Sequence, residues 1–205
     1  MHKYLLMLCS CLLMSAHVWA QSAKEILDET AARFQKSTGT VVAFTAANGG
    51  DRAITGTITL KDSQFAVKSN VIQAWFDGTT LWTIFQGSHE VNVSNPTPEE
   101  IQSMNPMYFI TLYQKGYALK TQTTKHNGRP AHEVTMTAQS AKESVQELIV
   151  SIDKNLKRPN YVKMRKGQHW MNIDINSYRE NQNVGQDVFV FNPKKYPDFE
   201  VIDLR

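Results

Sequence analysis

The sequence predicts a mainly β protein with a few helices. Its core is one antiparallel sheet, long enough for its twist to curl it toward a barrel. Three features point there. Apolar and polar residues alternate along most of the chain, the period of a strand with one buried face. Only one long stretch has helical spacing, too few helices for βαβ units. The 205 residues, 41% hydrophobic and 20% charged, suit a single globular domain with a sizeable core.

The first twenty residues stand apart. "MHKYLLMLCSCLLMSAHVWA" has a basic start at Lys3 and an apolar run from Tyr4 to Met14. Val18 and Ala20 occupy the positions that a signal peptidase reads. The apolar run is too short to span a bilayer, so residues 1–20 are expected to be a secretory signal peptide that is removed. Lipid attachment at Cys11 is disfavoured because the apolar run before it is short. The exported remainder, residues 21–205, is then soluble, and in a Gram-negative cell it is periplasmic.

"SAKEILDETAARFQKSTG" reads as one amphipathic helix. Ser22 and Glu25 make a capping box, and Ile26, Leu27, Thr30, Ala31 and Phe34 share a face. Gly39 is expected to end it. The period then changes to two. "TVVAFTA" puts Val42 and Phe44 on one side; "AITGTITLKD" sets Ile58 and Leu60 against a row of threonines; "QFAVKS" continues with Phe65 and Val67. "VIQAWFDGTTLWTIF" reads as two aromatic strands joined across Asp77-Gly78, and "HEVNVSNP" closes this first run of about five strands.

"NPTPEEIQSMNPMYFITLYQKG" interrupts the β pattern. Thr97 and Glu100 form a second capping box, with Pro98 at the first helical position. Asn105-Pro106 stops that helix and starts another, which Gly116 ends. Ile101 and Met104 face inward from the first, Phe109, Leu112 and Tyr113 from the second. Both helices are too short to be stable alone, so they must pack on the sheet. Locally they fit a lid over an apolar cavity or a static cap, and local sequence favours the cap. About six strands follow, ending in "DVFVFNPKKYP". In these, Leu148, Val150 and Ile152 share a face, as do Met171, Ile173 and Ile175, and Phe189 and Phe191.

A formal net charge of +3 is too weak an excess for a nucleic-acid-binding surface. Both cysteines, Cys9 and Cys11, fall in the leader, which excludes disulfides, thiolate metal sites and cysteine nucleophiles from the remainder. His89, His126, His132 and His169 lack metal-ligand spacing, and no nucleophile elbow or phosphate loop occurs. No cofactor and no enzymatic activity are expected. The basic hairpin "KNLKRPNYVKMRKG", with Lys154, Lys157, Arg158, Lys163, Arg165 and Lys166, is either a solvated hairpin or a docking surface for anionic headgroups or an acidic partner.

"FDGTTLWTIFQGSHEVNVS" followed by "NPTPEEIQSMNPMYFITLYQKG" resembles the LolA family of periplasmic carriers of outer-membrane lipoproteins. "AKEILDETAARFQKSTGTVVAFTA" resembles the family's first helix and Phe-Thr strand, and "VGQDVFVFNPKKYPDFEVIDLR" its closing strand and acidic-arginine end. The resemblance is closest to LolA-like outer-membrane lipoprotein chaperones. It implies an incomplete barrel of about eleven strands in a single lipoprotein-carrier domain, residues 21–205, with the helices as a lid over a hydrophobic cavity. The implied ligand is the acyl end of a lipoprotein, received from an inner-membrane releasing transporter by a monomeric carrier and handed to an outer-membrane acceptor. On this reading the cavity and lid are lined by Phe34, Phe44, Ile58, Leu60, Phe65, Val67, Trp75, Trp82, Ile84, Ile101, Met104, Phe109, Leu112, Val150, Ile173 and Phe189. The family commonly places an Arg-Pro at the end of an early strand, where the arginine tethers the lid. This chain has "TLKDSQFAV" there, and Lys61 is the nearest basic residue. Two alternatives keep other roles open: a general hydrophobic-ligand shuttle of the same fold, and a secreted hydrolase, for which no convergent nucleophile and base are legible.

Overall fold

The computed structural model describes residues 21–48, 50, 52–97, 100–101, 112–114 and 116–205. The expected signal peptide, Pro98, Met104, Asn105-Pro106 and Phe109 lie outside the described residues.

Helix α1 runs over Ala23–Gln35. Its capping box forms as the sequence requires: Glu25 N–H donates to Ser22 Oγ at 3.2 Å, and Ser22 N–H donates to Glu25 Oε2 at 2.8 Å. The helix stops before Gly39, with Lys36 as its C-cap. Gly39 has a different job. A Cβ there would sit 2.6 Å from Gln182 O and 2.8 Å from Val184 Cγ2, so glycine is needed for close approach of a later segment and not for a left-handed cap.

Twelve strands form one open sheet in the order β12-β6-β5-β4-β3-β2-β1-β11-β10-β9-β8-β7. The first meander comprises β1 Thr40–Ala47, β2 Ile54–Lys61, β3 Gln64–Ser69, β4 Ile72–Phe76, β5 Leu81–Phe85 and β6 Glu90–Ser94. The second comprises β7 Tyr117–His126, β8 Arg129–Ala138, β9 Glu147–Asp153, β10 Pro159–Lys166 and β11 His169–Arg179. Strands β1 and β11 join the two meanders antiparallel. The final strand, β12 Glu200–Asp203, lies parallel to β6. The expected incomplete, mainly β architecture is therefore present, with one strand more than the eleven expected. The turn at Asp77-Gly78 takes its expected form, with Gly78 at φ +105° and Asp77 Oδ1 accepting from the N–H groups of Thr79 and Thr80.

"DVFVFNPKKYP" is not a strand. It folds as two 3-10 turns, Gln186–Phe189 and Pro193–Lys195. The reason is its path. After β11 the chain crosses the sheet as a strap: Gln182 N–H donates to Gly39 O, Lys61 Nζ to Val184 O, and Phe191 stacks edge-on against Trp75 on β4. A segment running across strands cannot share their ladder, and only at β12 does it turn to pair.

A register shift between β1 and β11 sets Ala43 opposite Ser177 and Phe44 opposite Ile175. This bulge leaves Asn176 unpaired in the ladder and returns Tyr178 to the face of Ile175, opposite Val42.

Candidate functional site

We call the sheet face that α1 covers the concave face and the opposite one the outer face; both carry apolar residues. On the concave face of the first meander, Val42, Ile58, Leu60, Phe65, Ala74, Phe76 and Leu81 form one buried cluster. Phe34 of α1, Phe44, Val67, Ile101, Ile175 and Tyr178 pack against it. Phe65 and Phe76 have ring centroids 5.3 Å apart. Across the second meander, Val134, Met136, Leu148, Val150, Ile152 and Met164 form another cluster, capped by Ile26 and Leu27 of α1 and by Leu112 and Tyr113. Ile173 sits between the two clusters, opposite Ala46 on one side and Val162 on the other. The concave face is thus apolar across both meanders.

Most residues expected to line a cavity come together on this face or on its cover. They are Phe34, Phe44, Ile58, Leu60, Phe65, Val67, Ile101, Leu112, Val150 and Ile173. Met104 and Phe109 lie outside the described residues.

Trp75, Trp82, Ile84 and Phe189 are elsewhere, and the structure corrects their placement. Trp75 alternates with Ala74 and Phe76 and so points to the outer face, as do Trp82 and Ile84 in β5. There Ile84, Val91, Val93 and Phe191 form a third buried cluster, with Trp75, Trp82, Tyr196 and Phe199 packed against it. Trp75 meets Phe191 at 5.4 Å and Tyr196 at 5.8 Å between centroids, and Tyr196 Oη donates to Gln73 Oε1 at 2.9 Å. Phe189 is fully buried in the strap that crosses β3 and β4. The strap supplies a second core on the outer face, so these residues close the fold and do not line the concave face.

The cover is held by polar contacts between distant parts of the chain. Tyr113 Oη donates to Asp28 on α1. Burial first, and this bond second, push the Tyr113 hydroxyl up to about 12. Lys24 first, and Tyr113 second, hold the Asp28 carboxyl below its ordinary range. At the other end of α1, Arg33 forms a two-pronged pair with Glu180, with Nε and Nη2 donating at 2.6–2.9 Å. Lys157 Nζ lies 2.9 Å from Glu29 Oε2. Lys61 is not part of this latch, because its ammonium donates to the strap at Val184 O, 3.0 Å away. The second capping box, at the start of the interrupting segment, is formed: Thr97 N–H donates to Glu100 Oε2 at 2.8 Å, and Glu100 N–H to Thr97 Oγ1 at 3.3 Å.

Sequence reasoning missed the Tyr113–Asp28 and Arg33–Glu180 contacts, which join residues 85 and 147 positions apart. It also left Val134 and Met136 unassigned, although "HEVTMTA" shows their alternation. A half-open cleft of about 350 Å³ lies near the β12 edge, lined by Leu81, Ser94, Asn95, Pro96, Glu100, Leu204 and Arg205. Among the described residues no cluster of His, Cys, Asp and Glu could hold a metal ion.

A family model described as "Outer membrane lipoprotein carrier protein LolA" matches residues 14–168. The chain belongs to the LolA family. Among solved structures, this LolA-family chain is similar to an uncharacterized conserved protein from Thermus thermophilus, with 13% identity, a TM-score of 0.63, and coverage of 89% of this chain and 99% of that one. It is also similar to an outer-membrane lipoprotein-sorting protein domain from Vibrio parahaemolyticus, with 10% identity, coverage of 85% and 97%, and a TM-score of 0.47. A LolA superfamily protein from Nitrosomonas europaea is similar at 11% identity, coverage of 84% and 99%, and a TM-score of 0.42. No curated protein matches the chain. At 13% identity the likeness to the Thermus thermophilus protein shows the fold alone. No helix among the described residues is long and apolar enough to cross a membrane.

Proposed function

We propose that this protein carries outer-membrane lipoproteins through the periplasm, holding their acyl chains against the concave face. The observation that supports this most is the way that face is covered. Two apolar clusters span both meanders, and α1, Ile101 and the turn at Leu112–Gln114 pack on them from separate parts of the chain. Burying an acyl chain gains about 0.8 kcal/mol per methylene. Part of that gain is offset by lifting the cover, which leaves binding reversible. Donor and acceptor are then an inner-membrane releasing transporter and an outer-membrane receptor, and the protein acts without catalysis.

The test is native mass spectrometry of protein purified from the periplasm of a lipoprotein-producing host, joined to depletion in cells. Retained acylated peptide and lipoproteins stranded at the inner membrane are expected. Retained free lipid with normal lipoprotein sorting would favour a general lipid shuttle instead. Absence of any acylated ligand would overturn both.

A further inference from the structure

One rim of the concave face is polar and carries an uncompensated positive charge. Thr121 and Thr123 on β7 stand opposite Val134 and His132 on β8, so all four face the concave side. Lys154 follows β9 and reaches back to this rim, where its Nζ donates to Thr123 Oγ1 at 3.1 Å. Lys157 lies beside Glu29 and also donates to Gln21 Oε1 at 3.4 Å. Lys157 and Glu29 cancel, whereas Lys154 has no carboxylate within salt-bridge distance among the described residues. The side-chain partner of its ammonium is a neutral hydroxyl. His132 is nearly buried, and burial first, then Lys154 and Lys157, lower its pKa. Glu29 acts on the imidazole in the opposite sense.

A second observation points to a missing hydrogen-bond partner. Thr121 Oγ1 is buried and unpaired. A buried hydroxyl left in that state is costly. Thr121 is two residues along β7 from Thr123, one step further from the rim, and the next inward residues across the ladder are Val134, Met136 and Val150. Polarity thus falls from rim to interior in the order ammonium, hydroxyl, apolar wall. That is the profile of an amphiphile with an anionic head.

We propose that Lys154, Thr123 and Thr121 bind the anionic head, a phosphate or carboxylate, of an acylated ligand whose chains run onto the concave face. This rests on the part of the carrier reading above that both of its forms share, acyl chains held against the concave face; a phosphate head belongs to the lipid-shuttle form, and a carboxylate beside the acylated residue to the lipoprotein form. A phosphate oxygen beside Lys154 would neutralise its charge and still leave Thr123 Oγ1 free to donate a hydrogen bond to the ligand. A neutral or zwitterionic head gains less, because no net charge is balanced.

The test compares four probes on the full chain: short-chain phosphatidylglycerol, phosphatidylcholine with identical chains, an acylated peptide and inorganic phosphate. Binding is read by calorimetry for the unsubstituted protein, Lys154→Gln and the outer-face control Lys163→Gln. Phosphatidylglycerol should bind about tenfold tighter than phosphatidylcholine. Lys154→Gln should remove that preference by weakening phosphatidylglycerol binding far more than phosphatidylcholine binding, and Lys163→Gln should alter neither. Melting curves of both variants confirm that each is folded. Equal binding of the two lipids, or equal effects of Lys154→Gln and Lys163→Gln, would overturn the proposal and leave the carrier reading intact. Inorganic phosphate binding as tightly as phosphatidylglycerol would overturn it in favour of a free-anion site. Failure of both lipids and of an acylated peptide to bind would overturn the carrier reading itself.

Discussion

Leu112→Ala separates a cover that moves from a wall that stays. Leu112 is 7% exposed and packs in the cluster with Val134, Met136, Leu148 and Val150. Truncating a buried leucine costs about 2–5 kcal/mol through lost transfer energy and the cavity left behind. The low end applies, because a three-residue 3-10 turn can settle into part of the space. We therefore expect about 2 kcal/mol of destabilisation, measured by urea unfolding without ligand. If an acyl chain must lift Leu112 off the sheet to enter, the substitution removes that same cost from binding. Affinity for a fluorescent fatty acid should then rise, by up to about 30-fold for about 2 kcal/mol. Weaker binding alongside the lost stability would mean that Leu112 is a wall contact and would refute the reasoning. Unchanged affinity would mean that the chain does not enter beneath this turn.

Acyl chains brominated near their ends should leave the fluorescence of Trp75 and Trp82 unquenched, since both face the strap; strong quenching at either would place ligand on the outer face. Gly39→Ala should destabilise by about 1–3 kcal/mol, since its Cβ would meet the backbone oxygen of Gln182 at 2.6 Å, and thermal melting would show no change if the strap can move aside. Stability should also fall at both ends of the pH scale. His132 is depressed below 6.5 in the fold, so the unfolded chain binds more protons there and stability drops as pH falls through this range. Tyr113, Tyr161 and Tyr178 are raised from 10.0 to about 12, in each case chiefly by burial, so stability present below pH 10 is lost as pH rises toward 12. Denaturation midpoints across pH test both limbs, and His132→Gln should flatten the acid one.

Much of the fold is local and therefore legible. The capping boxes at Ser22 and Thr97 need partners only three residues apart, and the Asp77-Gly78 turn is set by its own two residues. The alternation in β2 names Ile58 and Leu60 as one face without any knowledge of the rest. Gly39 reads locally as a helix stop, but its constraint comes from Gln182 and Val184, far along the chain. "DVFVF" has the alternation of a strand, while its path across the sheet denies it a ladder.

Periodicity and turn chemistry alone suffice for an antiparallel sheet, for where its strands turn, and for an apolar side on each strand. They do not say which side is concave. A period of two divides residues between two faces but does not label them, and β4 is apolar on both, with Ala74 and Phe76 on one and Trp75 on the other. The label comes from what packs on the sheet: α1 and Leu112 cover one face, and the strap with Phe191 and Tyr196 covers the other. The cover's latches, Tyr113 to Asp28 and Arg33 to Glu180, have the same origin, since ion pairs and hydrogen bonds between distant residues exist only once the sheet has brought them together.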